Sequence, residues 1–343
     1  MKKIVTIGEV MLRLSPPGNQ RFYQSHSFDV EFGGSEANVG AALAYWGMQV
    51  AHITAFPDHE IGWAAAGQLR KNGIDTQFIP HIPGRMGVYY LEQGAMQRSS
   101  QVIYDRAGSA FANFDGSKLD WDKILDGADW VHWSGITPAL SQQCADLTLA
   151  ALKKANEKGI KVSGDLNYRS NLWQFGKAPN EIMPALMELT NVIIAGTRDF
   201  KQCLNEDYKN FTEVRNMAFD RYSNLEYIVK TDRISHSSSN NTISASLYSK
   251  KKTYSSRSYE LTHIVDRVGT GDAFGGGLIY GLLHMGPKDA IEFAMAAGAT
   301  ASTGVVQGRA CGEDWGGVAA LALPVGFGAL TAPLPNQGRV RPT

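Results

Sequence analysis

Short apolar runs alternate with helix-period segments along most of the chain, and this rhythm restricts the possible folds more than any other feature. Residues 3–7 form an apolar run that ends at Gly8. Residues 36–45 read as a helix, 50–55 as a second apolar run, and 61–71 as a helix stopped by Asn72 and Gly73. Four further strand-like runs stand at 130–133, 160–163, 192–195 and 227–230, with a helical pattern at 142–158 between two of them. Strands that are apolar throughout and separated by helices imply a doubly wound, mostly parallel sheet with helices on both faces. With 343 residues, the chain can form one large α/β domain with a smaller element attached.

Two stretches break the rhythm, at about 10–32 and 87–106. Their alternating residues and polar turns read as antiparallel hairpins, equally suited to a lid over a cleft or to a sheet edge. Residues 240–257 predict another hairpin around Lys250, Lys251 and Lys252. Residues 272–285 and 288–302 predict a closing helix pair. From 304 to 343 the composition turns to Gly, Ala and Pro, without lysine or isoleucine, and reads as an atypical tail.

Composition excludes some partners. Lys plus Arg and Asp plus Glu both number 33, so there is no basic excess of the kind nucleic acids attract. No run is apolar and long enough to predict a bilayer span. Three separated cysteines, Cys144, Cys203 and Cys311, form no metal-ligand spacing and suit a reducing, cytoplasmic setting.

The strongest chemical signal is VDRVGTGDAFGGGLIYGLL at 265–283. Gly269, Thr270 and Gly271 predict a tight turn opening a helix at about Asp272. Unpaired amides and the helix dipole there would favour a phosphate or a developing anion. An aspartate beside that site can accept the proton of an attacking hydroxyl. The same residues also read as a simple N-cap and turn. Three consecutive glycines, Gly275 to Gly277, are costly in a helix and predict close approach of another backbone or of a ligand. The second signal is FGGSEANVGAALAYWG at 32–47. Gly34 allows a sharp turn and Asn38 lies one turn into the next helix.

These two motifs, in this order, resemble the two signatures of the ribokinase-like, or phosphofructokinase-B type, carbohydrate kinases. IYDRAGSAF, VHWSGITPALS, DLNYRSNLW and HIVDRVGTGDAF resemble one branch, the 2-keto-3-deoxygluconate kinases. The resemblance covers about residues 1–303 and implies a ribokinase-like α/β fold with a small β-sheet lid from 10–32 and 87–106. It implies ATP and Mg²⁺ as cofactors, and phosphorylation of the terminal hydroxyl of 2-keto-3-deoxygluconate. A neutral sugar such as fructose or ribose, or sugar-acid binding without catalysis, are the alternative readings. Asp272 would be the catalytic base, with the amides of Gly269, Thr270 and Gly271 as anion hole. Gly34, Asn38, Tyr90, Tyr104, Arg106 and Arg169 would line the sugar-acid site. Arginines suit a carboxylate, because the planar fork donates two parallel bonds. A homo-oligomer through the lid is also implied.

Three departures stand out. The family's Asn-x-x-Glu pattern is replaced by AGTRDF, leaving Asp199 to act on a metal through water. KTDRISHSSSNN, at 230–241, lacks the usual glycine of the nucleotide turn, leaving Thr231 and Arg233 as phosphate contacts beside Gly269 and Gly271. The tail reads GRACGEDWGG at 308–317, unlike the branch.

Overall fold

The computed structural model describes residues 1–94, 98–236, 240–262 and 268–303, so the expected tail at 304–343 lies outside the described residues. The N-terminal part runs β1 (Lys3–Ile7), β2 (Met11–Ser15), β3 (Asp29–Gly33), α1 (Ser35–Tyr45), β4 (Gln49–Ile53), β5 (Phe56–Pro57) and α2 (Glu60–Lys71). It continues through β6 (Ile74–Asp75), β7 (His81–Ile82), β8 (Val88–Glu92) and β9 (Gln101–Asp105). The middle holds α3 (Trp121–Ile124), β10 (Trp130–Ser134), α4 (Gln142–Glu157), β11 (Lys161–Asp165), α5 (Pro179–Glu188), β12 (Val192–Ile194), α6 (Thr197–Leu204) and α7 (Phe211–Arg221). The last part is β13 (Tyr227–Ser235), β14 (Asn240–Tyr248), β15 (Thr253–Ser255), β16 (Tyr259–Thr262), α8 (Thr270–His284) and α9 (Pro287–Thr303).

The main sheet has the order β15-β14-β13-β12-β11-β10-β1-β4-β6, with β16 also on β14. From β13 to β6 every pairing is parallel, as the unbroken apolar runs require. One buried layer packs α1, α8 and α9 on one face, and another packs α4 to α7 on the opposite face. The chain moves outward from β1 through β4 in one direction and from β10 through β13 in the other. The carboxyl ends of β1 and β10 therefore flank the point where the strand order reverses, the usual place for a ligand crevice in such sheets.

A separate four-stranded sheet, β3-β2-β8-β9, starts four residues after the end of β1 at that same end. It is made of the two stretches that broke the sequence rhythm. The hairpin expected after residue 240 also forms, as β14 pairing antiparallel with β15.

Two boundaries differ from expectation. β13 extends to Ser235 because β14 pairs along it as far as Ser235↔Asn241. Most of the expected nucleotide turn is thus strand. α8 begins at Thr270, not Asp272, since Gly269 takes φ 86°, a left-handed conformation that glycine adopts at little cost. The glycine run of α8 packs closely against the neighbouring helices. A Cβ at Gly277 would stand 2.9 Å from Ala294 Cα of α9, and one at Gly276 would stand 3.1 Å from Ala42 Cβ of α1.

Candidate active site

Gly269 turns the chain into α8, so Asp272 sits in the first helical turn. Amides at a helix start have no partner within the helix, and the dipole adds positive potential. A Cβ on Gly271 would meet no atom within 4 Å, and this residue is exposed. The turn therefore opens onto space that a phosphate can enter.

α1 packs along α8 and supplies the groups that hold Asp272. Ser35 Oγ donates to Asp272 Oδ1 at 2.9 Å, and Asn38 Nδ2 donates to Oδ2 at 2.6 Å. Residues three apart share a helix face, which brings both donors to one carboxylate. Asn38, expected to bind sugar, thus spends its amide nitrogen on Asp272, while its buried Oδ1 has no partner. Ser35 was not among the expected site residues. Its place three residues before Asn38 was the available signal.

Burial pushes the Asp272 carboxyl up to about 6, against the downward pull of the Asn38 and Ser35 bonds and of the Arg169 charge. A general base works as the carboxylate. Activity should therefore fall with acid: kcat/KM drops about tenfold per pH unit below pH 6 and levels off above pH 7. A pH–rate profile checks this, with the residual activity of a D272N variant as the reference that lacks the limb.

The arginines differ in availability. Arg106 is buried at the end of β9, where its Nε and Nη2 donate to Glu9 Oε2 at 2.8 and 2.5 Å. Ser109 Oγ donates to the other Glu9 oxygen at 2.5 Å. Glu9 thus takes the Nε–Nη2 edge of the fork. Arg169 is exposed in the loop after β11, and its charge lowers both Asp165 and Asp272.

Tyr90 requires correction. Side chains alternate across a strand, and Tyr89, not Tyr90, pairs with Tyr104 in register. The Tyr89 and Tyr104 rings are 5.9 Å apart, and the Arg106 guanidinium lies 5.9 Å from the Tyr104 ring centre. Tyr90 is on the opposite face, edge-on to Phe22 and Phe28. Val268, one residue before Gly269, packs on Met11, Tyr89 and Leu91, so the Tyr89 face is the one turned toward the start of α8.

Gly34 caps α1, and a Cβ there would stand 1.9 Å from the Glu9 carbonyl oxygen. Its small size thus serves chain packing. Thr231 and Arg233 lie on the exposed half of β13, facing the same way, opposite Ala245 and Ile243. Asp199 caps its own helix: Oδ2 accepts from Gly196 N at 2.9 Å and Oδ1 from Tyr168 N at 3.4 Å. Asp165, at the end of β11, is pushed up to about 7 by burial, then by Asp199 and Asp272. Among the described residues no group of three His, Cys, Asp or Glu side chains is placed to hold a metal ion by itself.

A strand-order reversal, a helix N-terminus open to phosphate and a held aspartate beside it define a phosphotransferase acting on a small-molecule hydroxyl. The chain belongs to the pfkB family of carbohydrate kinases, whose model matches residues 1–305, and it is a sugar kinase with the ribokinase-like fold. The structure of 2-dehydro-3-deoxygluconokinase from Thermotoga maritima is similar, with 42% identity, a TM-score of 0.82, and coverage of 88% of this chain and 94% of that one. A pfkB family carbohydrate kinase of Listeria grayi superposes with a TM-score of 0.83 at 32% identity, covering 88% of this chain and 94% of that one. A Haloferax volcanii protein, 2-dehydro-3-deoxygalactonokinase, is 32% identical over 297 residues, 87% of this chain and 88% of its own length.

Proposed function

We propose that the protein transfers the γ-phosphate of ATP to the terminal hydroxyl of 2-keto-3-deoxygluconate, giving 2-keto-3-deoxy-6-phosphogluconate. The observation that carries this reading is the Asp272 carboxylate, held by Ser35 and Asn38 in the first turn of α8. Asp272 takes the hydroxyl proton as the oxygen attacks in line, and the start of α8, from Gly269 to Gly271, receives the charge of the transferred group. The unpaired Asn38 Oδ1 is an acceptor for a sugar hydroxyl. The 2-keto-3-deoxy acid, known also as the 2-dehydro-3-deoxy acid, is supported by the names of the Thermotoga and Haloferax relatives. Arg169 and Arg106 suit its carboxylate, with Tyr89 and Tyr104 beside them.

Mg²⁺ fits the acidic side of the site. Burial first, and then the charges of Asp199 and Asp272, keep Asp165 high, and a hydrated dication with phosphates would offset the charge part. Asp199, with Asp165 beside it, would hold the ion through water, and the ion would neutralise phosphate charge. Thr231 and Arg233 are the proposed nucleotide contacts. The small sheet is the proposed lid over the domain spanning 1–303. Its exposed Val30 and Ile103 suit packing against a second copy. Among the described residues no helix is long and apolar enough to cross a membrane. A cytoplasmic location is proposed.

The test is ADP formation by the purified protein with ATP and Mg²⁺, comparing 2-keto-3-deoxygluconate, its galactonate epimer, fructose, ribose and no sugar. Turnover with a neutral sugar alone would discard the acid. Binding of the acid without turnover would favour a non-catalytic binding protein, the reading suggested by the missing Asn-x-x-Glu pattern. R169A should raise KM for the acid by about tenfold to a hundredfold, the loss of a charged hydrogen-bonded contact, and leave any fructose turnover nearly unchanged.

A further inference from the structure

We propose that Glu36 is a positioning residue for Asp272: it locks the first turn of α1 against the carboxyl ends of β1 and β10, and so aims Ser35 and Asn38 at the catalytic carboxylate. The proposal rests on Asp272 being the base.

Glu36 is 1% exposed and points from α1 into the sheet. Its Oε1 accepts from Ser134 Oγ at 2.7 Å, at the end of β10, and from Thr137 Oγ1 at 2.8 Å. Its Oε2 occupies the space beside Gly8, where a Cβ would stand 2.2 Å away. The reciprocal contact is Gly34 against the Glu9 carbonyl oxygen. Segment 8–9 and the start of α1 therefore interlock at two points, with a glycine accepting the other chain at each. Ser35 and Asn38, which grip Asp272, lie on either side of Glu36 in the sequence.

Stability alone does not account for a carboxyl at this place. A buried polar group costs free energy that an apolar side chain of similar size would not. Burial pushes Glu36 up to about 7, and the Asp272 charge adds to the rise. His52 of β4 lies beyond Gly8, bonds the Gly8 carbonyl through Nε2, and is held neutral by burial. What the position requires is an acceptor for two hydroxyls, which a carboxamide oxygen also supplies.

The experiment is a kinetic cycle of E36A, E36Q, D272N and E36A/D272N, with thermal midpoints and the KM of both substrates. Ser35 and Asn38 hold Asp272, so E36A should lower kcat by about tenfold to a hundredfold, the cost of slightly misplacing a catalytic group, with the KM for ATP near wild type. E36Q should recover most of that kcat. In the D272N background E36A should cost little more, because contributions made through one group are not additive. An equal loss in both backgrounds, or a folded E36A with unchanged kcat, would overturn the proposal. If E36A does not fold, S134A/T137A is carried through the same cycle and judged by the same two results. Failure of the base assignment itself appears separately, as near-normal kcat in D272N alone.

Discussion

D272N should lower kcat by about 10²–10⁴-fold, the range contributed by a positioned general base, while the protein stays folded and still binds the sugar acid. The local hydrogen bonds explain why the fold survives. Ser35 Oγ can still donate to an amide oxygen at position 272. The new amide nitrogen faces Asn38, which now offers its own Nδ2. Turning the Asn38 amide over brings its unpaired Oδ1 to that nitrogen. No buried donor is then left facing another. The carboxylate is also held above its ordinary range by burial, so its removal relieves a cost that is present above pH 6. The thermal midpoint at pH 8 should equal or exceed that of the wild type. Stopped-assay kcat, calorimetric binding of the acid and a melting curve check the three parts. A kcat within a few fold of wild type would remove Asp272 from its role.

G34A should be among the most damaging single methyl groups in the described chain. Its Cβ would lie 1.9 Å from the Glu9 carbonyl oxygen and 3.0 Å from the carbonyl carbon. Both atoms are backbone, so no side chain can swing away. The backbone of Gly34 itself is extended, at φ −163°, and accepts any residue. The penalty is therefore steric, on the order of 3 kcal/mol or more for overpacking against a rigid neighbour. For a chain of this size that is roughly 4 °C or more in thermal midpoint. Relief requires α1 to move from the end of β1, which carries Ser35 and Asn38 off Asp272. kcat should fall with stability. G67A is the control, because a Cβ there would come no nearer than 3.9 Å to an Arg70 side-chain nitrogen. Its midpoint should stay level or rise, as alanine favours a helix interior. A G34A protein that melts with the wild type would contradict the interlock of α1 with β1.

The family relation makes the chain a sugar kinase, and the geometry separates two arginines that the resemblance had grouped together. Arg106 and Arg169 were expected as a matched pair. The structure buries Arg106 at the end of β9, fixed by Glu9, and leaves Arg169 exposed in the loop after β11. Under the proposed function a substrate carboxylate would meet one fixed guanidinium and one adaptable charge, which makes Arg169 the better position for testing substrate preference.

Much of this protein follows from local sequence. Apolar runs of strand length between helical periods determined the parallel sheet and its two helical layers. Broken rhythm at 10–32 and 87–106 marked the second sheet. Gly269 to Asp272 marked a helix start fit for anions, because dihedral preference and the helix dipole are properties of a few adjacent residues. The tertiary structure alone decided what that helix start meets. Ser35 and Asn38 reach Asp272 across more than 230 residues of sequence, and Arg106 reaches Glu9 across 97. Strand register, which one residue of slip would invert, decided that Tyr89 and not Tyr90 shares a face with Tyr104. Packing of α1 and α9 decided that the glycines of α8 receive neighbouring helices. Such contacts depend on strand order and pairing, which no single stretch of chain encodes.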